Sequence, residues 1–215
     1  MHKIALIVAG GEGKRMNSSI PKQFLLLHNT PILMRTLKQF SHFEEIVLVL
    51  PPFQFEYWKE LCSRYNFTQK HILVVGGETR FQSVKNGLLS IADNTIVAIH
   101  DGVRPLTSVS LINNLVAKSK SGIGVIPIIP VKDSYRKVEG GNSIQIDRNN
   151  LFKVQTPQCF VTSDIKKAYA QNYSSIFTDD ASVFEANGGK ISTLLGEESN
   201  LKITNEEDLK IAEIL

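Results

Sequence analysis

Ile4-Ala5-Leu6-Ile7-Val8-Ala9 runs directly into Gly10-Gly11-Glu12-Gly13-Lys14-Arg15-Met16, and Ile20-Pro21-Lys22-Gln23-Phe24 follows shortly after. An unbroken apolar run of this kind reads as a strand buried on both faces, the centre of a parallel sheet. The glycines at 10, 11 and 13 let the backbone turn sharply and bring bare amide groups up to a ligand. Lys14, Arg15 and Lys22 set positive charge beside those amides. The combination describes a phosphate site. It matches neither common nucleotide motif. A Walker A loop needs Ser or Thr where Arg15 stands, and its earlier glycine is missing. A dinucleotide fingerprint starting at Gly11 and Gly13 ends on Met16, which would crowd the helix against the strand. Taken alone, the turn also serves as a plain strand-to-helix connection.

The chain has 215 residues, enough for one domain with a large core. A net charge of +3 is too mild to suggest a nucleic-acid or membrane surface. Cys62 and Cys159 form no CxxC pair, so neither a disulfide framework nor a zinc site is supported. The first residues lack the layout of a signal peptide, and no apolar stretch approaches membrane-spanning length. The expected location is the cytoplasm.

Strand-like and helix-like segments then alternate. Strands are expected at 46–50, 71–75, 96–99, 122–129 and 191–195. Helices are expected at 32–40, 53–65, 80–91, 111–118, 163–172, 179–187 and after Asn205. Such alternation with short connections predicts an α/β fold with a doubly wound, mostly parallel sheet. The pattern breaks after Pro130. From 131 to 160 there is no helical period, and segments 134–138 and 143–146 flank Gly140-Gly141 as a β-hairpin. An inserted hairpin at about 131–150 would project, either as an arm that pairs with a second subunit or as a bare surface excursion.

Ligands of open parallel sheets bind outside the carboxyl ends of the strands. That rule gathers Lys14, Arg15 and Lys22 after the first strand, and Gly76, Gly77, Arg80 and Ser83 after the third. It adds His100, Asp101, Gly102 and Arg104 after the fourth, with Lys132 and Asp133 after the fifth. Cations for phosphate and a carboxylate to meet a divalent metal suit nucleotidyl transfer. Asp101 reads as a metal or ligand contact, or as a cap of the turn through Arg104-Pro105. His100 reads as a structural histidine beneath that turn. Thr178-Asp179-Asp180 opens a helix with acidic first-turn residues, compatible with ligand contact. Arg148 by itself passes for a surface arginine, and Lys202 for either a solvated lysine or a phosphate ligand.

The motifs together resemble the sugar-phosphate cytidylyltransferase family. The match is carried by Ala9-Gly10-Gly11-x-Gly13-x-Arg15-Met16 with Pro21-Lys22-Gln23-Phe24, then His100-Asp101-Gly102-Val103-Arg104-Pro105 and Gln155-Thr156-Pro157-Gln158. Thr178-Asp179-Asp180-Ala181-Ser182 and Asn200-Leu201-Lys202-Ile203-Thr204 complete it, in order along nearly the whole chain. The resemblance implies a Rossmann-like nucleotidyltransferase that takes CTP with Mg²⁺ and a small sugar-alcohol phosphate. Arg15, Lys22 and Lys202 would be catalytic. Ala9, Gly10, Gly11, Gly13 and Gly77, with Arg80, Ser83, Asp101 and Gly102, would hold the nucleotide. Arg104, Thr156 and Thr178 would face the sugar phosphate. Ser134 and Arg148, on the hairpin, would reach it in the other subunit of a homodimer, which favours the arm reading. Asp101 would also lie near the metal, held mainly by the CTP phosphates.

The departures from the family pattern are small. Gly10 stands for a second alanine, Ser134 for threonine and Leu201 for isoleucine, and none removes a charge. Within the family, Arg148 after Asp147 and Ser182-Val183-Phe184-Glu185 point to the branch acting on methylerythritol phosphate, with the ribitol phosphate branch as alternative. A non-catalytic nucleotide sensor of this fold would be expected to lose Lys22, Asp101 or Lys202, and all three are present. A molybdenum-cofactor or nucleotide-sugar transferase on a related fold should lack the Gln155-Thr156-Pro157-Gln158 block and the arm.

Overall fold

The computed structural model of the chain describes residues 1–10 and 20–215. β1 (His2–Val8) is followed by a short ribbon of β2 (Leu26–Leu27) and β3 (Thr30–Pro31), then α1 (Ile32–Gln39), β4 (Glu45–Leu50) and α2 (Phe55–Arg64). Next come β5 (Ile72–Val75), α3 (Arg80–Leu89), β6 (Thr95–Asp101), α4 (Val109–Lys118) and β7 (Ile123–Pro130). A hairpin of β8 (Tyr135–Glu139) and β9 (Asn142–Ile146) leads to β10 (Phe152–Val154) and β11 (Gln158–Val161). The chain ends with α5 (Thr162–Tyr169), α6 (Asp180–Ala186), β12 (Lys190–Leu195) and α7 (Glu206–Ile214).

The parity of β1 shows why the sheet is wound on both faces. Ala5, Ile7 and Ala9 pack with Leu37 of α1, Trp58 of α2 and Leu115 of α4. Ile4, Leu6 and Val8 pack on the opposite face with Val84 of α3, Ile165 of α5 and Phe184 of α6. Alternate side chains of a strand point to opposite faces, so a strand apolar at every position needs helices on both. Burying each large aliphatic side chain contributes about 1.5–3 kcal/mol relative to leaving it exposed.

Pairing follows the order β5-β4-β1-β6-β11-β7, with β12 and β10 on β7. β1 pairs in parallel with β4 on one side and β6 on the other. The chain thus builds outward from β1 to β5 and then returns to the far side of β1. The reversal leaves a crevice between the carboxyl ends of β1 and β6, where Val8 lies opposite Asp101.

The α/β class, the parallel core and the hairpin agree with the sequence reading. Two strands do not. Residues 151–161, which follow the arm expected at about 131–150 and for which the sequence reading assigns no element, supply β10 and β11. β11 lies antiparallel in the middle of the sheet, between β6 and β7, and all its residues are buried. Expected helix boundaries shift by one or two residues at several ends. The second helix is preceded by a 3-10 turn, Pro52–Gln54, because the prolines after β4 delay it. Gly140 and Gly141 make the two-residue hairpin turn at φ +55° and +83° between Glu139 and its partner Asn142. Positive φ at both positions gives the turn whose twist matches its strands. Every residue of β8 is exposed, as are those of β9 apart from Ile146. Among the described residues, no helix is long and apolar enough to cross a membrane.

Candidate functional site

Asp101 is the last residue of β6, and burial leaves it 7% exposed at the crevice. Three cations meet its carboxylate. Lys202 Nζ lies 3.1 Å and Arg104 Nε 3.3 Å from Oδ2, and Arg80 Nε lies 3.6 Å from Oδ1. Burial alone would push this carboxyl up in pKa. Lys202, Arg80 and Arg104 outweigh burial and hold it well below the usual carboxylate range.

Each cation is fixed by a different element. Arg80, first residue of α3, donates Nη1 and Nη2 to the two oxygens of Asp180 at 2.8 and 2.7 Å. Asp180 is fully buried and also accepts from the Tyr169 hydroxyl at 2.6 Å. Burial opposes the charge of Arg80, but Asp180 and then Asp101 more than compensate, so the guanidinium stays firmly charged. Arg104 donates Nη1 to the Asn200 carbonyl at 2.7 Å. Lys202 stands in the extended segment after β12.

His100 lies directly behind Asp101, with no exposed surface. Its Nε2 is 3.1 Å from the Arg104 carbonyl and its Nδ1 2.9 Å from the Thr156 hydroxyl. A carbonyl only accepts, so Nε2 carries the proton and Nδ1 accepts from Thr156. Burial lowers the imidazole to about 4, which keeps it neutral. The histidine is structural, as its sequence position suggested.

A cavity of about 890 Å³ opens beside this cluster. Ala9, Gly10, Gly76, Gly77 and Ser83 line part of its wall. The Gly77 amide donates to the Ser83 hydroxyl at 3.0 Å. Lys22, Asp101, Arg80 and Lys202 line the polar end. A smaller cavity of about 240 Å³ adjoins it, lined by Arg104, Thr156 and Thr178 together with Arg80, Asp101 and Lys202. Lys22 follows Pro21 in the 3-10 turn Lys22–Phe24, and the turn is anchored by Gln23. Gln23 Nε2 donates to the Ala9 carbonyl at 3.0 Å and to Gln54 at 2.8 Å.

The structure therefore brings together Ala9, Gly10, Lys22, Gly77, Arg80, Ser83, Asp101, Arg104, Thr156, Thr178 and Lys202. Thr156 lines the smaller cavity with its hydroxyl engaged by His100 and by the Asp101 amide, at 3.1 Å from the latter. Gly102 lines neither cavity. Its amide donates to Val8 and its carbonyl accepts from Thr36, which ties the β6 end to β1. Gly11, Gly13, Lys14 and Arg15 lie outside the described residues.

Ser134 and Arg148 sit on the exposed arm and line neither cavity, and Arg148 donates to the Lys132 carbonyl. Lys132 and Asp133, grouped with the site by the strand-end rule, also lie outside both cavities. Lys132 pairs with Glu198 at the surface, because β7 leaves the sheet into the arm at that point. Pro51, Pro52 and Phe53 line the larger cavity, although the sequence reading has the prolines only as the end of the 46–50 strand and Phe53 only as the start of a helix. They follow β4, which neighbours β1, so the strand-end rule applied to that strand would have found them.

A sequence profile of the family described as IspD, 2-C-methyl-D-erythritol 4-phosphate cytidylyltransferase, matches residues 3–215. The chain belongs to this family. It is therefore a nucleotidyltransferase of the cytidylyl-transferring kind. Bacterial relatives bearing the same enzyme name include one from Phocaeicola vulgatus, 45% identical over all of both chains. Another, from Azobacteroides pseudotrichonymphae, is 47% identical over 99% of this chain and 98% of its own. The crystal structure of the Francisella tularensis enzyme superposes with a TM-score of 0.82 at 29% identity, covering 100% of this chain and 99% of that one.

The donor set for a divalent metal is spare. Among the described residues, no group of three His, Cys, Asp or Glu side chains could hold one. Among the described residues the crevice places Asp101 amid cations suited to phosphate, with Glu78 and Asp179 as the other carboxylate residues lining the two cavities. That fits Mg²⁺, which is commonly held by one or two carboxylates and the substrate's own phosphates.

Proposed function

We propose that the chain joins CTP to 2-C-methyl-D-erythritol 4-phosphate, giving the CDP-linked methylerythritol and pyrophosphate for isoprenoid-precursor synthesis. The observation that carries this reading is the Asp101 carboxylate ringed by Lys202, Arg104 and Arg80, beside a glycine-lined pocket at the sheet's switch point. The names carried by the relatives support the methylerythritol substrate over ribitol phosphate.

In the reaction, a phosphate oxygen of the polyol attacks the α-phosphorus of CTP. A new phosphoanhydride bond forms, the bond to the β-phosphate oxygen breaks, and pyrophosphate leaves with the electron pair. Arg15, Lys22 and Lys202 stabilise the negative charge that shifts onto the phosphates. Losing one such donor typically costs roughly a hundred- to a thousand-fold in turnover. Backbone groups of Ala9, Gly10 and Gly77, with the Ser83 hydroxyl, receive the cytosine. Arg104 and Thr178 face the polyol phosphate. Mg²⁺ would be held mainly by the CTP phosphates, with Asp101 beside it, and would supply charge neutralisation.

The whole chain acts as one nucleotidyltransferase domain in a cytoplasmic homodimer, where CTP is supplied. Ser134 and Arg148 of each arm enter the partner's site. The exposed, unpacked arm supports this arrangement, since Val138 and Ile144 are 67% and 66% exposed on it.

The test is pyrophosphate release from CTP and Mg²⁺ with each polyol phosphate. Rapid release with methylerythritol 4-phosphate alone is expected. A preference for ribitol 5-phosphate would overturn the substrate, and release with neither would overturn the reaction.

A further inference from the structure

Gln155 carries no charge and lies between β10 and β11, 4% exposed. Its side-chain amide grips a segment more than forty residues away in sequence. Oε1 accepts from the Glu197 amide at 3.2 Å, and Nε2 donates to the Glu197 carbonyl at 2.7 Å. One side chain thus satisfies both backbone groups of Glu197, as a neighbouring strand would. Nε2 also reaches the Asn200 carbonyl at 3.2 Å, and the Gln155 amide is itself held by the Pro127 carbonyl at 2.9 Å. There is no slack in the clamp. A Cβ on Gly196 would lie 2.3 Å from Gln155 Oε1.

What the clamp holds is the approach to Lys202. The same Asn200 carbonyl accepts Arg104 Nη1, and Asn200 Nδ2 donates to the Thr156 carbonyl at 2.8 Å. The Glu197 carboxylate is bound by the Ser108 amide and hydroxyl at the head of α4. Lys202 follows Asn200 by two residues and places Nζ 3.1 Å from Asp101. Two of the three cations around Asp101 therefore depend on one short segment, and Gln155 fixes that segment at two of its carbonyls.

We propose that Gln155 is a positioning residue for cytidylyl transfer, acting through Lys202. The inference rests on the reading that Lys202 works on the phosphates during transfer. A long, half-exposed lysine gains transition-state value only when its backbone is held in register, since small misplacements of a charged donor cost large factors in rate. A residue that only stabilised the fold would lower turnover equally whether or not Lys202 were present.

A double-mutant cycle separates the two, with CTP and methylerythritol 4-phosphate as substrates and melting temperature recorded for each protein. Gln155→Ala is expected to lower kcat about 10- to 100-fold while leaving the KM for CTP within about threefold. In the Lys202→Ala background the same substitution should change kcat less than about threefold, because residues acting as a unit are not additive. Should Gln155→Ala fail to fold, Gln155→Glu closes the cycle: it keeps the size and the acceptor and removes the donor. Equal losses in both backgrounds, or no loss from either variant, overturn the inference while the reaction stands. A wild-type protein that releases no pyrophosphate overturns the reading beneath it as well.

Discussion

The crevice at Asp101 and the hairpin arm are opposites in construction. Around Asp101, Arg80 is locked on Asp180, Arg104 on the Asn200 carbonyl, and His100 on the Arg104 carbonyl and Thr156. The arm turns on Gly140-Gly141 with its own ladder of five residue pairs, and its strands stay exposed beyond that ladder. The first region is pre-organised, so little reordering is left for the moment when charge develops on a ligand. A two-stranded ribbon is marginal in isolation, and apolar side chains such as Val138 and Ile144 gain nothing where they stand. The contrast sets a crevice whose charges are fixed within one chain against an arm that, in the proposed homodimer, would be completed by a second.

The largest effect should come from the rigid region. Lys202→Ala is expected to reduce pyrophosphate release roughly a hundred- to a thousand-fold. Its melting temperature should stay close to that of the unaltered protein, because Lys202 is 41% exposed and fills no core volume. A variant retaining more than a tenth of the activity would remove Lys202 from the chemistry.

A smaller effect concerns acid. The imidazole of His100 sits at about 4 when folded against an ordinary 6.5, so the unfolded chain takes up the proton first as pH falls. Stability held above pH 6.5 is then lost on the way down to about 4, by at most roughly 3 kcal/mol. Denaturant melts across this range should show a shallower pH slope for His100→Gln than for the unaltered protein. Equal slopes would mean that the histidine is not held neutral.

The smallest effect on stability is expected from the arm. Replacing residues 133–147 by a short turn should leave the melting temperature of the sheet nearly unchanged, since the ribbon packs on no core cluster. Sedimentation should nevertheless report a monomer. A dimer that persists would break the comparison.

The central parallel strands were legible because apolar runs buried on both faces leave a strong signal, as in β1 and β4. The cap of the last helix was legible for a local reason. Asn205 accepts from the Asp208 amide three residues on, a bond written into short-range sequence, while α6 is capped by Asp179, which the sequence reading places inside the helix. β10 and β11 were not legible. They span three and four residues, too few for a period, and β11 includes part of a polar block that reads as a ligand contact.

The site divides in the same way. Asp101 and Arg104 stand at the end of β6 and just beyond it and could be found from position and type, and Lys22, in its 3-10 turn, from its closeness to the first strand, whereas position leaves Lys202 open and only the family motif assigns it. Gln155 was quoted only as part of a motif, since an uncharged amide that binds backbone groups far along the chain leaves no local trace. Lys132 shows the converse error. It follows a strand, yet the strand has by then left the sheet edge, and the side chain pairs with Glu198 instead.

Subunit complementation tests most directly whether one site is assembled from the rigid crevice of one chain and the arm of another. Lys202→Ala and Arg148→Ala proteins would be mixed in equal amounts, dissociated and reassociated, and assayed at methylerythritol 4-phosphate well below its KM. Half of the random dimers would be mixed, each with one intact site of two, so activity should rise to about a quarter of the unaltered enzyme's. Activity no greater than the average of the two variants alone would contradict the shared site.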